Sequence, residues 1–402
     1  MIFNKIDYYI PADSGDGGSR LDFVPHSPGL SVTADLIYFE LKIVDIKKLG
    51  APISSRLKQV TMEEIPHITS DLLDKLRKLN INSVYQLAVQ IPSELAFEIS
   101  DVTIDVEFAA KLIGNARKTL AENDIISKEF STADDMLEKR NKISRYSTGS
   151  SGFDTFLNGG FETQSITEIA GEFGSGKSQI CHTLCAAAIV LLEDESPDGA
   201  DNGSTHSAPG SIIFIDTENT FHANRVYQIA EQKNLDPEDI LKRIYHCNVY
   251  SSEQLEVLIN DLPKFIEQYN TKLVIVDSII SLHRAEFSGL GTLAERQQRL
   301  GKMLNKLRRY ADIYNIAVVI TNQVVSYADG SHPGFDYMKA AGGNIVAHGS
   351  TYRIFLRKSG KNRAAIMDDS PSHPYQRVKF SISESGIQDV NSYKTEESDS
   401  AW

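Results

Sequence analysis

Gly171-Glu172-Phe173-Gly174-Ser175-Gly176-Lys177-Ser178 is the stretch on which the reading of this chain turns. It satisfies the GxxxxGK[ST] pattern, and it lies between an apolar run, Ser165 to Ala170, and a helical run that begins near Lys177. Glycines let backbone N–H groups turn inward around phosphate oxygens, and a helix starting at Lys177 adds its positive N-terminal end. The Lys177 ammonium supplies a point charge to the β- and γ-phosphates of a nucleoside triphosphate, and the Ser178 hydroxyl is placed to coordinate Mg2+. The flanking strand and helix separate this motif from a chance Gly/Ser turn followed by lysine.

Around this motif, after Ser147, short apolar runs alternate with amphipathic helical ones, the signature of βαβ units around a parallel sheet. The strand candidates are Ser165 to Ala170, Ser211 to Asp216, Ile244 to Val249, Lys272 to Asp277, Ile316 to Asn322, Thr351 to Arg357 and Val378 to Ile382. Leu255, Leu258, Ile259, Leu262, Phe265 and Ile266 repeat at helical spacing, as do Leu293, Leu300, Leu304, Leu307 and Ala311. The run Leu273 to Val276 ends in Asp277, where the acidic partner of the phosphate loop would hold the metal through its water shell. Glu218 follows another strand and is the candidate for orienting water on the γ-phosphate; a helix-capping acid before Ala223 to Lys233 fits the same position. Gln323 ends the strand Ile316 to Asn322 and is placed to sense the γ-phosphate, although its spacing fits an ordinary loop glutamine equally.

Two long segments after strands carry cations and rings. Ser278 to Arg299 holds Arg284, Arg296 and Arg299; Val324 to Gly343 holds Tyr327, His332, Phe335, Tyr337 and Lys339 among glycines. Read as loops on one rim, they suit single-stranded nucleic acid, with cations on phosphates and rings on bases; solvated loops are the plain alternative. Tyr352 to Arg363 adds five basic residues and no acidic one, the composition of a solvated edge strand.

The rest of the chain sets the limits. Residues 63–123 show helical periodicity in Leu72, Leu73, Leu76, Leu79, Val84, Leu87, Ala88, Ala109, Ala110, Ile113 and Ala116, enough for a small helical domain. Residues 124–146 read as a charged linker with a helix of its own, 147–390 as the α/β core and 391–402 as an acidic tail, while 1–62 carry no assignable role. Glu193 to Gly210 reads as an exposed connecting loop. With 24% charged and 41% hydrophobic residues the chain is neither collagen-like, wholly disordered nor membrane-embedded, and no apolar run approaches the about 20 residues of a bilayer span. The net charge of −13 opposes unfocused attraction to phosphate backbones but leaves room for a local basic groove. Cys181, Cys185 and Cys247 cannot all pair and show no zinc spacing, so buried thiols in a reducing compartment, a cytoplasmic protein without signal or membrane segment, is the expectation.

Together these residues resemble the archaeal RadA recombinases, strand-exchange ATPases of the RecA superfamily. The resemblance runs from about Ile65 to Asp389. It rests on Gly171 through Gln179, Ile215-Asp-Thr-Glu-Asn-Thr-Phe221, Arg284-Ala-Glu-Phe287, Gly291-Thr-Leu-Ala-Glu-Arg-Gln297, Thr321-Asn-Gln-Val324, Gly342-Gly343 and Asp369-Ser370-Pro371. It implies a RecA-like ATPase core with a largely parallel sheet behind a helix-hairpin-helix-like domain, ATP and Mg2+ as cofactors, and DNA-dependent ATP hydrolysis. It further implies a helical filament or ring of copies that takes up single-stranded DNA and pairs it with homologous duplex, with recombination mediators as further partners. By position, Glu172, Phe173 and Gln179 join the nucleotide loop, Glu218 resembles the water-activating carboxylate and Gln323 the switch to the second DNA segment. Arg225 matches the residue that packs on adenine. Asp369 and Pro374 match the cap on a neighbouring subunit's ATP; Arg284, Arg296, Gly342 and Gly343 match the DNA-binding segments. Phe130-Ser131-Thr132-Ala133 matches the family's Phe-x-x-Ala polymerisation motif, and an apolar ring in a charged linker gains about 25 cal/mol per Å2 when a partner covers it.

The chain also departs from the family. Leu290 stands where the first DNA segment carries arginine, Asn344 where the second carries histidine, and His67-Ile68-Thr69 where a hairpin would show a Gly-Val-Gly-like turn. Two functions therefore stand side by side: a strand-exchange ATPase, and an ATP-binding paralogue acting as mediator or scaffold.

Overall fold

Runs of Ile, Val and Leu with no polar alternation fit only strands covered on both faces, and the computed structural model places them at the centre of a nine-stranded sheet. The structure describes residues 60–191, 210–327 and 337–390, apart from 100, 102, 103, 129, 142 and 290. The segment before residue 60, the connecting loop, the tail, Leu290, His332 and Phe335 lie outside these residues.

After a 3-10 turn at Met62–Glu64 come four helices, α1 (Ser70–Lys78), α2 (Val84–Ala88), α3 (Pro92–Ile99) and α4 (Val106–Glu122), and the linker helix α5 (Ala133–Asn141). The core follows with β1 (Arg145–Tyr146), α6 (Ser151–Phe156), β2 (Phe161–Glu162), β3 (Ser165–Gly171), α7 (Lys177–Leu191), β4 (Ser211–Asp216), α8 (Ala223–Gln232), α9 (Pro237–Lys242) and β5 (Ile244–Asn248). It continues through α10 (Ser252–Tyr269), β6 (Thr271–Asp277), α11 (Ser281–Glu286), α12 (Leu293–Ile313), β7 (Ala317–Asn322), β8 (Val324–Tyr327), β9 (Tyr337–Ala340) and α13 (Gly343–Gly349). The last strands are β10 (Tyr352–Ser359), β11 (Asn362–Asp369), β12 (Arg377–Ser383) and β13 (Gly386–Asp389).

The large sheet has the order β13-β12-β11-β10-β3-β7-β6-β4-β5. From β10 to β5 every pairing is parallel, and β11 to β13 add an antiparallel wing. Side chains alternate across the pleat, so Ile212, Phe214, Leu273 and Ile275 pack with α7, α8 and α9 on one face. Ile213, Ile215, Val274 and Val276 pack with α10 and α12 on the other.

The helical region joins the second of these cores. Thr69, Ser83 and Asp105 accept from the amides of Leu72, Gln86 and Phe108, capping α1, α2 and α4. At its junction with the sheet domain, the Glu267 carboxylate accepts from Ser83 Oγ (2.7 Å), Gln86 Nε2 (3.2 Å) and Tyr314 OH (2.7 Å). Tyr85 stacks on Tyr314 with ring centres 5.7 Å apart. Burial raises the Glu267 carboxyl, partly offset by the Ser83 and Tyr314 hydroxyls.

Several sequence expectations change. Tyr352 to Arg363 is no edge strand: β10 lies between β3 and β11, its Arg353 neutralised by Glu168 at 2.8 Å and Asp368 at 3.1 Å. The segment Ser278 to Arg299 is largely helical, with Arg284 in α11 and Arg296 and Arg299 in α12, and the ends of Val324 to Gly343 pair as a β8–β9 hairpin. Ala110 is exposed, and Leu112 takes a place in the core.

Candidate nucleotide-binding site

The Gly171–Ser178 loop connects β3, buried along its whole length, to the first turn of α7. A Cβ on Gly171 would come within 2.6 Å of Ser175 Oγ and 2.8 Å of the Leu356 carbonyl, so the β3–β10 approach admits only glycine. Gly174 and Gly176 have φ of +73° and +108°, values L side chains avoid. Lys177 Nζ donates to the carbonyls of Gly171 (3.0 Å) and Glu172 (3.1 Å), holding the ammonium over the loop. Burial lowers its pKa, against the opposing pull of Asp277 and Glu218. Ser175 Oγ is buried without a hydrogen-bond partner among the described residues. A glycine cradle with a buried ammonium and a spare hydroxyl fits a polyphosphate chain.

Beside the loop, β6 ends in Asp277. Its Oδ2 accepts from Ser178 Oγ (2.7 Å) and Thr220 Oγ1 (2.9 Å), and its Oδ1 from Thr321 Oγ1. Burial pushes the Asp277 carboxyl up, and the three hydroxyls pull it back. A carboxylate joined to the loop hydroxyl fits a divalent cation's donor set. Thr220 and Thr321 stand inside quoted motifs without a role of their own from the sequence; Thr321 lies one strand over, level with Asp277, and its hydroxyl in an otherwise apolar run is the available signal.

The segment after β4 is fixed by Asp216, which accepts from the amides of Glu218 (3.1 Å), Thr220 (3.1 Å) and Phe221 (2.8 Å). Burial would raise this carboxyl; His246 and those amides outweigh it and bring its pKa down to about 2. Glu218 does not cap α8, whose first residue is preceded by His222 without a side-chain cap. Instead Glu218 Oε1 accepts from Ser278 Oγ (2.7 Å) and Gln323 Nε2 (2.8 Å). Gln323 Oε1 in turn accepts from Arg284 Nη1 at 3.0 Å. A continuous chain of hydrogen bonds thus runs from the phosphate loop's neighbour to α11.

A cleft of about 580 Å3, within the range of small-ligand pockets, opens over the loop between Phe173, Gln179, Arg225, Arg363 and Ile382. Arg225 Nε donates to Gln179 Oε1 (2.9 Å) and its Nη1 to the Glu384 carbonyl (2.9 Å), which fixes the guanidinium as one wall. Phe173 is 95% exposed at its rim.

The other candidates lie away from this cleft. Asp369 ends β11 and Pro374 sits in the following turn, both exposed; Phe130 is 93% exposed and Ala133 opens α5 on the surface. Arg296 Nη1 donates to the Phe287 carbonyl at 3.3 Å. Gly342 and Gly343 begin α13, and a Cβ on Gly342 would meet Val346 at 2.4 Å.

Comparison with known proteins agrees with this geometry. The model of the Rad51 family matches residues 139–390. Over 320 residues the chain is 40% identical to "DNA repair and recombination protein RadA" of Cenarchaeum symbiosum (strain A), covering 79% of this chain and 76% of that protein. With most of its length matched on both counts, and its phosphate loop, Asp277 and Glu218 inside the matched span, this chain belongs to the Rad51 family.

Proposed function

We propose that this protein is a DNA-dependent ATPase of homologous recombination and repair, which assembles on single-stranded DNA and pairs it with homologous duplex. The observation that carries the reading is the chain Ser278–Glu218–Gln323–Arg284, because it joins the group that would orient water to a segment expected to meet DNA. The amides of Glu172 to Lys177 and the Lys177 ammonium bind the phosphates of ATP, Gln179 and Arg225 wall its base, and Ser178 and Asp277 hold Mg2+. When bound, Mg2+ neutralises charge on the phosphate oxygens. Ser278 and Gln323 occupy Oε1 of Glu218, which leaves Oε2 to accept a proton from water.

The exposed Phe130 and Ala133 dock on a neighbouring copy, and Asp369 and Pro374 close over a neighbour's nucleotide. Arg284, Arg296, Gly342 and Gly343 form the DNA side. ATP favours the extended assembly because it binds that state better, and turnover releases it. Among the described residues no helix is long and apolar enough to cross a membrane, and we place the protein in the cytoplasm.

A D-loop assay with ATP, with and without Mg2+, tests the proposal: joint molecules that require both support it, and none under either condition refutes it. The second reading, a mediator without strand exchange of its own, is favoured by Leu290 and Asn344 in the DNA segments. It expects ATP binding with little stimulation of hydrolysis by single-stranded DNA.

A further inference from the structure

We propose that the cleft between α4 and α12 is a binding site for phosphate oxyanions, separate from the nucleotide cradle. The cleft holds about 900 Å3 and is lined by five cationic side chains, among them Arg117, Arg309 and Lys128, against two carboxylates, Glu122 and Asp312. In a chain of net charge −13 this is a local inversion of sign.

Arg117 and Arg309 form the centre of this site. They come from different helices, both line the cleft, and among the described residues neither has a carboxylate within salt-bridge distance. Arg117 Nε donates to the Ala88 carbonyl (2.9 Å) and Arg309 Nη1 to the Gln90 carbonyl (3.3 Å), so each serves the C-terminal end of α2 with one N–H. A guanidinium has several further donors in one plane. Arg309 Nε is buried without a hydrogen-bond partner among the described residues. Burial lowers both pKa values, and Arg117 lowers Arg309 further by like-charge repulsion; Asp312 opposes the shift at Arg117, and Tyr310 and Glu94 oppose it at Arg309. Structural capping therefore accounts for one donor of each and leaves two neighbouring, half-buried cations under-neutralised. A phosphate group accepts from several donors at once in the geometry a guanidinium fork presents, which an isolated carboxylate does less well. Lys118 is engaged at 3.8 Å by Glu122, whereas the exposed Lys128 stands at the rim without a carboxylate in salt-bridge range among the described residues. A bound oxyanion would tie α4 of the helical region to α12 of the sheet domain.

The test uses the full chain carrying Lys177→Ala, so that the nucleotide cradle does not report. Thermal unfolding is followed with inorganic tripolyphosphate, with a short DNA duplex, and with poly-glutamate. A ligand at about 100 times its dissociation constant raises the midpoint by at least about 2 °C in a chain of this size. The expected result is such a rise with tripolyphosphate or duplex, abolished by Arg309→Gln and at least halved by the surface substitution Lys128→Gln, which leaves the ligand-free midpoint unchanged. A rise with tripolyphosphate identifies free phosphates as the source, and one with duplex alone identifies a phosphodiester backbone. A rise that survives both substitutions, no rise with either phosphate ligand, or an equal rise with poly-glutamate overturns the proposal.

Discussion

Replacing Gln323 by alanine should uncouple DNA from ATP hydrolysis while sparing most of the basal rate. Two hydrogen bonds are lost, from Gln323 Nε2 to Glu218 Oε1 (2.8 Å) and from Arg284 Nη1 to Gln323 Oε1 (3.0 Å). Each joins a neutral amide to a charged partner, the class worth about 1.5 to 3 kcal/mol. Glu218 is exposed and Gln323 half-buried, so solvent screening reduces each to about 1 kcal/mol. The sum, about 2 kcal/mol, corresponds to a roughly 30-fold loss of stimulation. Ser278 still holds Glu218 in the variant, and the rate without DNA should stay within about threefold of the parent. The assay is steady-state ATP hydrolysis at saturating ATP with and without single-stranded oligonucleotide, on Gln323→Ala, Arg284→Ala and the double variant. If Arg284 acts through Gln323, the double variant loses no more than either single one. Full stimulation in Gln323→Ala, or additive losses, would show that Arg284 does not reach Glu218 through Gln323.

Three further outcomes follow from the same geometry. Lys177→Ala removes the ammonium held over the loop by Gly171 and Glu172 and should lower ATP turnover by at least about 100-fold; hydrolysis near the parent rate would refute the cradle. Phe130→Ala touches a ring that is 93% exposed, so its thermal midpoint should match the parent, while assembly followed by light scattering should require at least about tenfold more protein. Asp216, held at about 2, contributes stability that is present above the unfolded carboxyl pKa of about 4 and lost as pH falls from about 4 to about 2. Urea unfolding of Asp216→Asn should therefore fall short of the parent by about 2 kcal/mol at pH 6, and the gap should close by pH 2.

Much of the core was legible because buried parallel strands leave a plain mark. Ser211–Asp216 matches its candidate run, and β3, β5, β6, β7, β10 and β12 lie within two residues of theirs. Six strands have no candidate run: β1, β2, β8 and β9 are two to four residues long, too short for a period to show, and β11 and β13 belong to the antiparallel wing, where burial is partial and Asn362, Arg363, Asp368 and Asp369 dilute the apolar signal. Charge also misled the reading of β10, since Arg353 is neutralised by Glu168, a residue more than a hundred positions away. At the site, Lys177, Ser178, Asp277, Glu218 and Gln323 were all visible as residue types after strands, yet their joining was not. Glu218 and Gln323 are 2.8 Å apart only because β4, β6 and β7 lie side by side and Ser278 reaches across. The partners Thr220, Thr321 and Arg284 meet these groups through that strand order, and a hydroxyl in an apolar run is the local mark that Thr321 leaves.

Sedimentation velocity of the parent chain with ATP, Mg2+ and a single-stranded oligonucleotide decides whether the proposed nucleotide cradle on β3 and α7 is shared between adjoining copies and answers to DNA. Large assemblies that appear only with nucleotide and oligonucleotide together, and dissolve on Phe130→Ala, are the expected result; a particle that stays monomeric at saturating concentrations of both would contradict it.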